Sequence, residues 1–301
     1  MRTVAALDIG GTKLSAALVD SEGQILVQRK APVTRDGPDA LARQIVELLA
    51  GCGAIKAHIT ACGVIVPGIY FAESGNVWAP NLWGHEQVPF LEKLENALHM
   101  PVRVDSDRAG YVLGEQWMGA ARGMKDIVFL AVGTGIGAGI VSGGHLLRGA
   151  SDIAGAVGWS ALNPQYRDIY SEVGCWEAEA SGPALARRAS AESAEQVIRA
   201  AREGDAAACE AIAETAHYLG MGVANLVSLL NPEIVVLGGG LMQAHDLFLE
   251  PIRSAVKQWA QPVSAQQVRI ELTQLGESAG LLGAARLAFT FKELEASATG
   301  Q

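Results

Sequence analysis

Residues 5–18 read AALDIGGTKLSAAL, an apolar run that ends at Asp8, turns through Gly10, Gly11, Thr12 and Lys13, and then turns apolar again. A strand–turn–strand unit with Gly-Thr at its tip presents backbone N–H groups and a hydroxyl, and glycine lets a phosphate come close. Asp8 would repel that phosphate unless a divalent cation stood between them. Mg²⁺ suits this place, because it takes carboxylate, water and phosphate oxygens together. Lys13 adds a compensating positive charge. Taken alone, Asp8 also reads as an acid that caps a turn. A second turn of this kind lies in VGTGIGAGI, with Gly133, Thr134 and Gly135. That stretch satisfies G-x-G-x-x-A through Gly133, Gly135 and Ala138, but the dinucleotide fingerprint needs a helix directly afterwards. Residues 139–144 (GIVSGG) are too short and too glycine-rich for one. No GxxxxGK[ST] loop occurs anywhere. Two Gly-Thr turns suit a polyphosphate chain held by both. A third cluster, Gly238, Gly239 and Gly240 in LVSLLNPEIVVLGGGLM, follows a buried-type strand. Such a turn can admit adenine or ribose, or can simply join a strand to a helix.

These turns need strands and helices to hold them. Apolar patterning predicts strands at 4–7, 14–18 and 25–29, a helix at 38–49, and a strand at 59–66. A helix at 89–98, a strand at 102–105 and a helix at 109–120 follow. The opening pattern then recurs. IGGTKLSAALVDSEGQIL laid on VGTGIGAGIVSGGHLL puts Gly11 on Gly133, Thr12 on Thr134, Ala16 on Ala138 and Val19 on Val141. Chance likeness between two hairpins is the plainer alternative. A helix at 206–230, a strand at 233–237 and the turn 238–240 continue the second half. The expected architecture is α/β, two halves of one plan at 1–118 and 119–285 with a hinge near 119–123 and a cleft between them. A terminal helix at about 286–301 would pack back on the first half.

Composition limits the function classes. A chain of 301 residues that is half hydrophobic and 18% charged suits a folded globular protein. Apolar stretches are broken by Gly, Asn or charge well before about 18 residues, so no membrane span is expected. The N-terminus carries Asp8 and Lys13 where a signal peptide would be apolar. Four scattered cysteines without a CxxC pair suit a reducing, cytoplasmic setting. A net charge of −9 and dispersed basic residues argue against a nucleic-acid partner.

The three glycine stretches taken together resemble the ROK family (repressors, ORFs, kinases) of actin-like sugar kinases. LDIGGTK resembles its first phosphate motif, FLAVGTGIGAGI its second and NPEIVVLGGG its adenosine motif. APN followed by WGHEQVPF, VDSDRAGYVLGE followed by GAARG, and GCWEAEASGPAL match further blocks in the right order. The resemblance spans essentially the whole chain. It implies two actin-like (ribonuclease H-like) domains, ATP with Mg²⁺, a sugar substrate and a homodimer. The family's N-D-A-N-A-A-A-L-G-E block, anchored on Leu113, Gly114 and Glu115, places Ser106 at its first Asn and Asp107 at the catalytic aspartate. Transfer to a sugar hydroxyl needs a base to take the proton, and a carboxylate does this. Asp105 is the rival acid, at a variable position of the block, and Asp107 would also suit the N-cap of the following helix. Asn81 and Glu177 match hydroxyl-binding residues, and Gly68 is expected to shape the backbone beside the sugar.

The chain departs from the family in two blocks. Where the family has A-G-E-I-G-H, residues 154–159 read AGAVGW, so Ala156 replaces a sugar-contacting glutamate and Trp159 a zinc-binding histidine. Of the C-x-C-G-x-x-G-C-x-E block only Cys175 remains, and one soft ligand does not hold a structural zinc, which takes four. The expectation is therefore no zinc, with packing of Trp159 and Trp176 holding the loop and Trp159 free to stack on a sugar face. Fewer hydroxyl partners loosen the choice of sugar, so a hexose kinase is expected more firmly than a glucokinase. Fructose, mannose, allose and N-acetylhexosamines are the other acceptors in view. A DNA-binding repressor of the same family would need a helix-turn-helix ahead of the phosphate motif, which begins at residue 4. A sugar-binding protein with decayed catalysis is the remaining alternative, against which Asp8, Asp107 and both Gly-Thr turns weigh.

Overall fold

In the computed structural model, residues 2–53 and 59–298 are described, with side chains through residue 290. The first hairpin pairs β1 (Thr3–Ile9) with β2 (Lys13–Asp20) antiparallel, Asp8 facing Ser15. Its tip is closed by Gly10 N–H donating to the Lys13 carbonyl at 2.8 Å. β3 (Ile25–Pro32) continues the meander, and α1 (Pro38–Gly51) starts with Pro at a position that lacks a helical N–H partner anyway. β4 (Ile59–Val66) returns parallel to β1. A small antiparallel sheet follows, of β5 (Ile69–Phe71), β6 (Asn76–Trp78) and β7 (Gln87–Val88), with α2 (Pro80–Trp83) between the last two. The chain proceeds through α3 (Phe90–Leu98) and β8 (Val102–Ser106) into α4 (Asp107–Met118). The strand order is β3-β2-β1-β4-β8.

The second sheet repeats this plan. β9 (Ile127–Val132) and β10 (Ile136–Ser142) form the hairpin and β11 (His145–Leu146) extends it. Four short or medium helices come next: α5 (Tyr170–Val173), α6 (Cys175–Ala180), α7 (Gly182–Arg188) and α8 (Ala194–Arg202). The long α9 (Ala206–Leu230) opens on Asp205, whose carboxylate accepts from Ala208 N–H, and closes on Asn231 in the left-handed region at φ 46°. β12 (Ile234–Gly238) lies parallel to β9, and α10 (His245–Trp259), α11 (Pro262–Gln267) and β13 (Arg269–Leu272) follow. The order β11-β10-β9-β12-β13 matches the first sheet strand for strand. α12 (Ala279–Ala298) closes the chain.

Contacts divide the chain into two compact units. One holds residues up to Gly123, Arg148–Ile153 and the chain from Glu277; the other holds Met124–Leu147 and Ala154–Gly276. The sequence reading put these limits at 118 and 285. Residues 119–121 stay with the first unit because Ala120 N–H donates to the Glu115 carboxylate at 2.7 Å and Ala121 N–H to its carbonyl. In the first unit Leu7, Ile9, Leu14, Val64, Phe90 and Leu94 form the core. In the second, Val128, Leu130, Leu219, Val223, Leu237 and Phe248 surround Trp176. α12 lies against α4 and β4 at glycines. A Cβ on Gly63 would stand 1.7 Å from the Ala284 carbonyl oxygen, and one on Gly114 2.4 Å from that of Ala279.

Candidate functional site

In the first unit, β1 is buried from Val4 through Leu7 and again at Ile9, and Asp8 between them is half-buried at the strand's end, beside the turn 10–13. A Cβ on Gly280, in the first turn of α12, would lie 2.3 Å from Asp8 Oδ2, so glycine leaves that carboxylate its room. Burial pushes the Asp8 carboxyl up to about 7, and the Asp107 charge pushes the same way against Lys30. Asp8 and Asp107 are therefore close enough to feel one another. Burial also raises Asp107, with the Arg108 charge and N–H opposing. The cap of α4 is Ser106, not Asp107: Ser106 Oγ accepts from Ala109 N–H at 3.3 Å, while Asp107 Oδ1 accepts from Arg108 N–H at 2.8 Å. Asp105 differs from Asp107 in having both oxygens engaged, one by Ser106 N–H at 2.8 Å and one by Arg148 Nη2 at 2.5 Å.

Arg35, which the sequence reading passed over, donates through Nη2 to the Gly11 carbonyl at 2.5 Å and through Nη1 to the Asn81 carbonyl. One guanidinium thus joins the first phosphate-type turn to the loop of exposed Asn81 at α2. Gly68 has φ 101°, and a Cβ there would sit 2.1 Å from the Trp78 carbonyl oxygen, so both conformation and space require glycine. Its carbonyl accepts from Arg108 Nη2 at 3.5 Å. Tyr111, also passed over, stands one helical turn after Asp107, and burial with the charges of Asp107 and Asp8 pushes its phenol up. The helical spacing of 107 and 111 was the available signal; nothing local marks Arg35.

In the second unit, the turn of Gly133, Thr134 and Gly135 closes with Gly133 N–H donating to the Gly135 carbonyl at 2.9 Å. The Gly133 carbonyl accepts from Gly182 N–H at 2.8 Å, which fixes the turn against the start of α7. Glu177 Oε2 accepts from Ile136 N–H at 2.8 Å, and burial raises its carboxyl against that bond. Gly135 and Gly158 leave it space, since a Cβ on either would fall within 3.1 Å of Oε2. Gly239 has φ 92° and lies against the Val132 backbone, where a Cβ would come 2.3 Å from the carbonyl oxygen. Gly238 lies against the tip of the Phe129 ring, where a Cβ would come 2.4 Å from Cζ. A cavity of about 590 Å³ brings Gly133 and Thr134 together with Gly240, its walls including Ala186, Ile198 and Leu241. Its mixed apolar wall and glycine backbone suit a nucleoside attached to phosphates.

The Trp159 expectation needs correction. Trp159 is 57% exposed, and of the pair only Trp176 is in the core, 1% exposed. The loop is held by polar contacts instead. Leu162 and Asn163 N–H groups donate to Cys175 Sγ at 3.3 and 3.4 Å. Buried Glu179 accepts from Arg167 Nη1 at 2.7 Å, from Arg188 Nη2 at 3.2 Å and from the Tyr170 hydroxyl. The reason is geometric: Trp159 ends the one-turn helix Val157–Trp159 at the surface, whereas Trp176 lies in the first turn of α6 and fills the space left by Gly222 on α9. Among the described residues no group of three or more His, Cys, Asp or Glu side chains is placed to hold a metal.

Comparison with known proteins agrees on one family. The ROK family model matches residues 4–290. Glucokinase of Streptomyces coelicolor is 35% identical over 308 residues, covering 94% of this chain and 96% of that protein. The ROK hexokinase structure from Thermus thermophilus is 31% identical with a TM-score of 0.85, over 97% of this chain and 99% of the other. The ROK family glucokinase of Streptomyces griseus, solved with glucose and AMPPNP, is 31% identical with a TM-score of 0.78, over 96% and 99% of the two chains. The chain belongs to the ROK family and has its two-domain actin-like α/β fold.

Proposed function

We propose that this protein is a sugar kinase of the hexokinase type, which transfers the γ-phosphoryl group of ATP to a hexose hydroxyl, the 6-hydroxyl in our reading. Asp107 takes the hydroxyl proton. One observation carries the assignment: burial raises both carboxyls, but Asp105 has one oxygen held by Arg148 and the other by Ser106 N–H, whereas Asp107, at the head of α4, accepts at Oδ1 from Arg108 N–H and has its charge felt at Asp8. A carboxylate with a raised pKa is the better proton acceptor near neutral pH. Sugar hydroxyls are the partners of Asn81, Ser106 and Glu177, with Gly68 shaping the adjoining backbone and Trp159 offering an exposed ring. Ser106 can donate its hydroxyl hydrogen while its oxygen caps α4.

On the donor side, the backbone of Gly10, Gly11 and Thr12 and that of Gly133, Thr134 and Gly135 bind phosphate oxygens, with Lys13 adding charge. Gly238, Gly239 and Gly240 and the cavity beside them take the adenosine. Mg²⁺ fits the residues present: Asp8 is a hard oxygen donor beside the turn 10–13, and Gly280 keeps space at its carboxylate. When bound, the ion would neutralise charge on the phosphate oxygens. The similarity to glucokinases makes glucose the first acceptor to try, and the homodimer that the family resemblance implies is the assembly to look for by light scattering.

The test is ADP release with ATP and Mg²⁺ over a panel of hexoses and N-acetylhexosamines. Asp107→Asn should lower kcat by about 10²- to 10⁴-fold and leave sugar binding by calorimetry largely intact. Full turnover in that variant removes Asp107 as the base. Silence of the wild-type protein across the panel, with a sugar still bound, replaces the kinase reading by a sugar-binding one.

A further inference from the structure

We infer that Arg148 is a positioning residue for the proposed base Asp107 and that it acts through Asp105; the inference rests on the sugar-kinase reading above. Arg148 opens a six-residue strap, Arg148–Ile153, that belongs to the first unit although the residues before and after it belong to the second. Nothing in the glycine motifs, the acceptor loop or the family blocks quoted above gives this segment a role.

The strap meets β8 two residues before Asp107. Arg148 Nη2 donates to Asp105 Oδ2 at 2.5 Å, and Asp105 is 4% exposed. The other oxygen, Oδ1, accepts from Ser106 N–H at 2.8 Å. Ser106 in turn caps α4 by accepting from Ala109 N–H. A line of contacts thus runs from the Arg148 guanidinium through one buried carboxylate to the backbone of Ser106, and so to the first residue of α4, which is Asp107.

The strap is fixed at its other end as well. Asp152 Oδ2 accepts from Ala72 N–H at 2.9 Å, just after β5. Asp152 holds φ 58°, a left-handed conformation that aspartate tolerates better than most residues. Tyr70 on β5 feels the charges of Asp105, Arg148, Arg103 and Asp152, so these groups share one locality on β5 and β8. β5 begins directly after Gly68, so the strap braces both the strand leading to the base and the segment expected beside the sugar.

Removing the guanidinium leaves a carboxylate in a place where burial already disfavours its charge. Asp105 must then take up a proton or turn toward water. Either change weakens its hold on Ser106 N–H, and the head of α4 loses its support. The attacking hydroxyl needs its base placed to within a fraction of an ångström, and a displacement of about 1 Å can cost roughly 10²-fold in rate. Binding of sugar and nucleotide, spread over many other groups, changes little.

The experiment compares Arg148→Met, Arg148→Lys and the double variant Asp105→Asn/Arg148→Met with the wild type, measuring kcat, KM for sugar and ATP, and the thermal midpoint. Arg148→Met is expected to lose about 10- to 100-fold in kcat, with both KM values within about threefold of the wild type. Arg148→Lys should recover much of the loss. The double variant, which carries no buried charge at this place, should regain the thermal midpoint but not kcat. A kcat of Arg148→Met within about threefold of the wild type overturns the inference. So does full recovery of kcat in the double variant, which would reduce the pair to charge compensation. Should Arg148→Met fail to fold, the double variant decides by the same criterion. A silent wild type would instead sink the sugar-kinase reading and a fully active Asp107→Asn the choice of base, whereas an active wild type, a dead Asp107→Asn and an unaffected Arg148→Met sink the positioning role alone.

Discussion

Glu177 shows how one side chain serves local structure while keeping a free oxygen. Its Oε2 fixes Ile136 N–H at the foot of the Gly133–Thr134–Gly135 turn, and Oε1 has no part in that bond. Burial raises its carboxyl above the ordinary 4.5. Between 4.5 and that raised value the native state binds more proton than the unfolded chain, so this group removes stability as pH climbs through the window. Glu177→Gln should abolish that contribution. In urea unfolding from pH 4 to pH 8, the stability of the wild type relative to the variant should fall as pH rises; a flat difference refutes the raised pKa. Asp105 and Asp107 make the complementary point, for two carboxylates two residues apart differ in surroundings: Asp105 is engaged on both oxygens, and Asp107 Oδ1 accepts from Arg108 N–H.

At the scale of elements, the contact of α4 with α12 sets where Asp107 and Asp8 stand. The helices approach at glycines: a Cβ on Gly283 would lie 1.8 Å from the Gly110 carbonyl oxygen, and one on Gly114 2.4 Å from that of Ala279. In each case backbone, not a pliable side chain, occupies the space. Gly114→Ala should therefore destabilise by about 1–3 kcal/mol or more, read as a lower urea midpoint. It should also lower kcat, because α4 carries Asp107 in its first turn and α12 carries Gly280 against Asp8. An unchanged midpoint would mean that the helices can part without cost. The loop before α6 follows the same logic with polar groups, as Cys175 and Glu179 gather N–H and guanidinium donors.

For the molecule as a whole, burial decides the chemistry of its thiols. Cys52, Cys62 and Cys175 are buried and Cys209 is exposed, with no disulfide among them. Burial pushes the Cys62 thiol up to about 12, which keeps it protonated and unreactive at neutral pH. A thiol reagent should accordingly label one cysteine quickly in the native protein and the remaining three only on unfolding. Mass mapping should find the fast site at Cys209; rapid labelling of Cys62 or Cys175 would contradict the packing described. None of the helices among the described residues is long and apolar enough to cross a membrane.

The sequence by itself determined the repeated strand–turn–strand plan and the bounds of several elements, because these depend on neighbours in the chain. Residues 59–66 and 206–230 were legible to the residue, the latter ending where Asn231-Pro232 follows. The glycine turns were equally plain, since glycines between two apolar runs interrupt the strand pattern and mark a turn. The small sheet of β5, β6 and β7 was not, because its strands are only two or three residues long and owe their pairing to one another. Tertiary structure alone decided what the polar groups near the site do. It gave Asp105 to Arg148, assigned the α4 cap to Ser106, used Arg35 to join Gly11 to Asn81, and left Trp159 at the surface while burying Trp176. Each of these pairs residues many positions apart or divides work among near neighbours, and hydrogen-bond partners chosen by packing leave no period in the chain that could announce them.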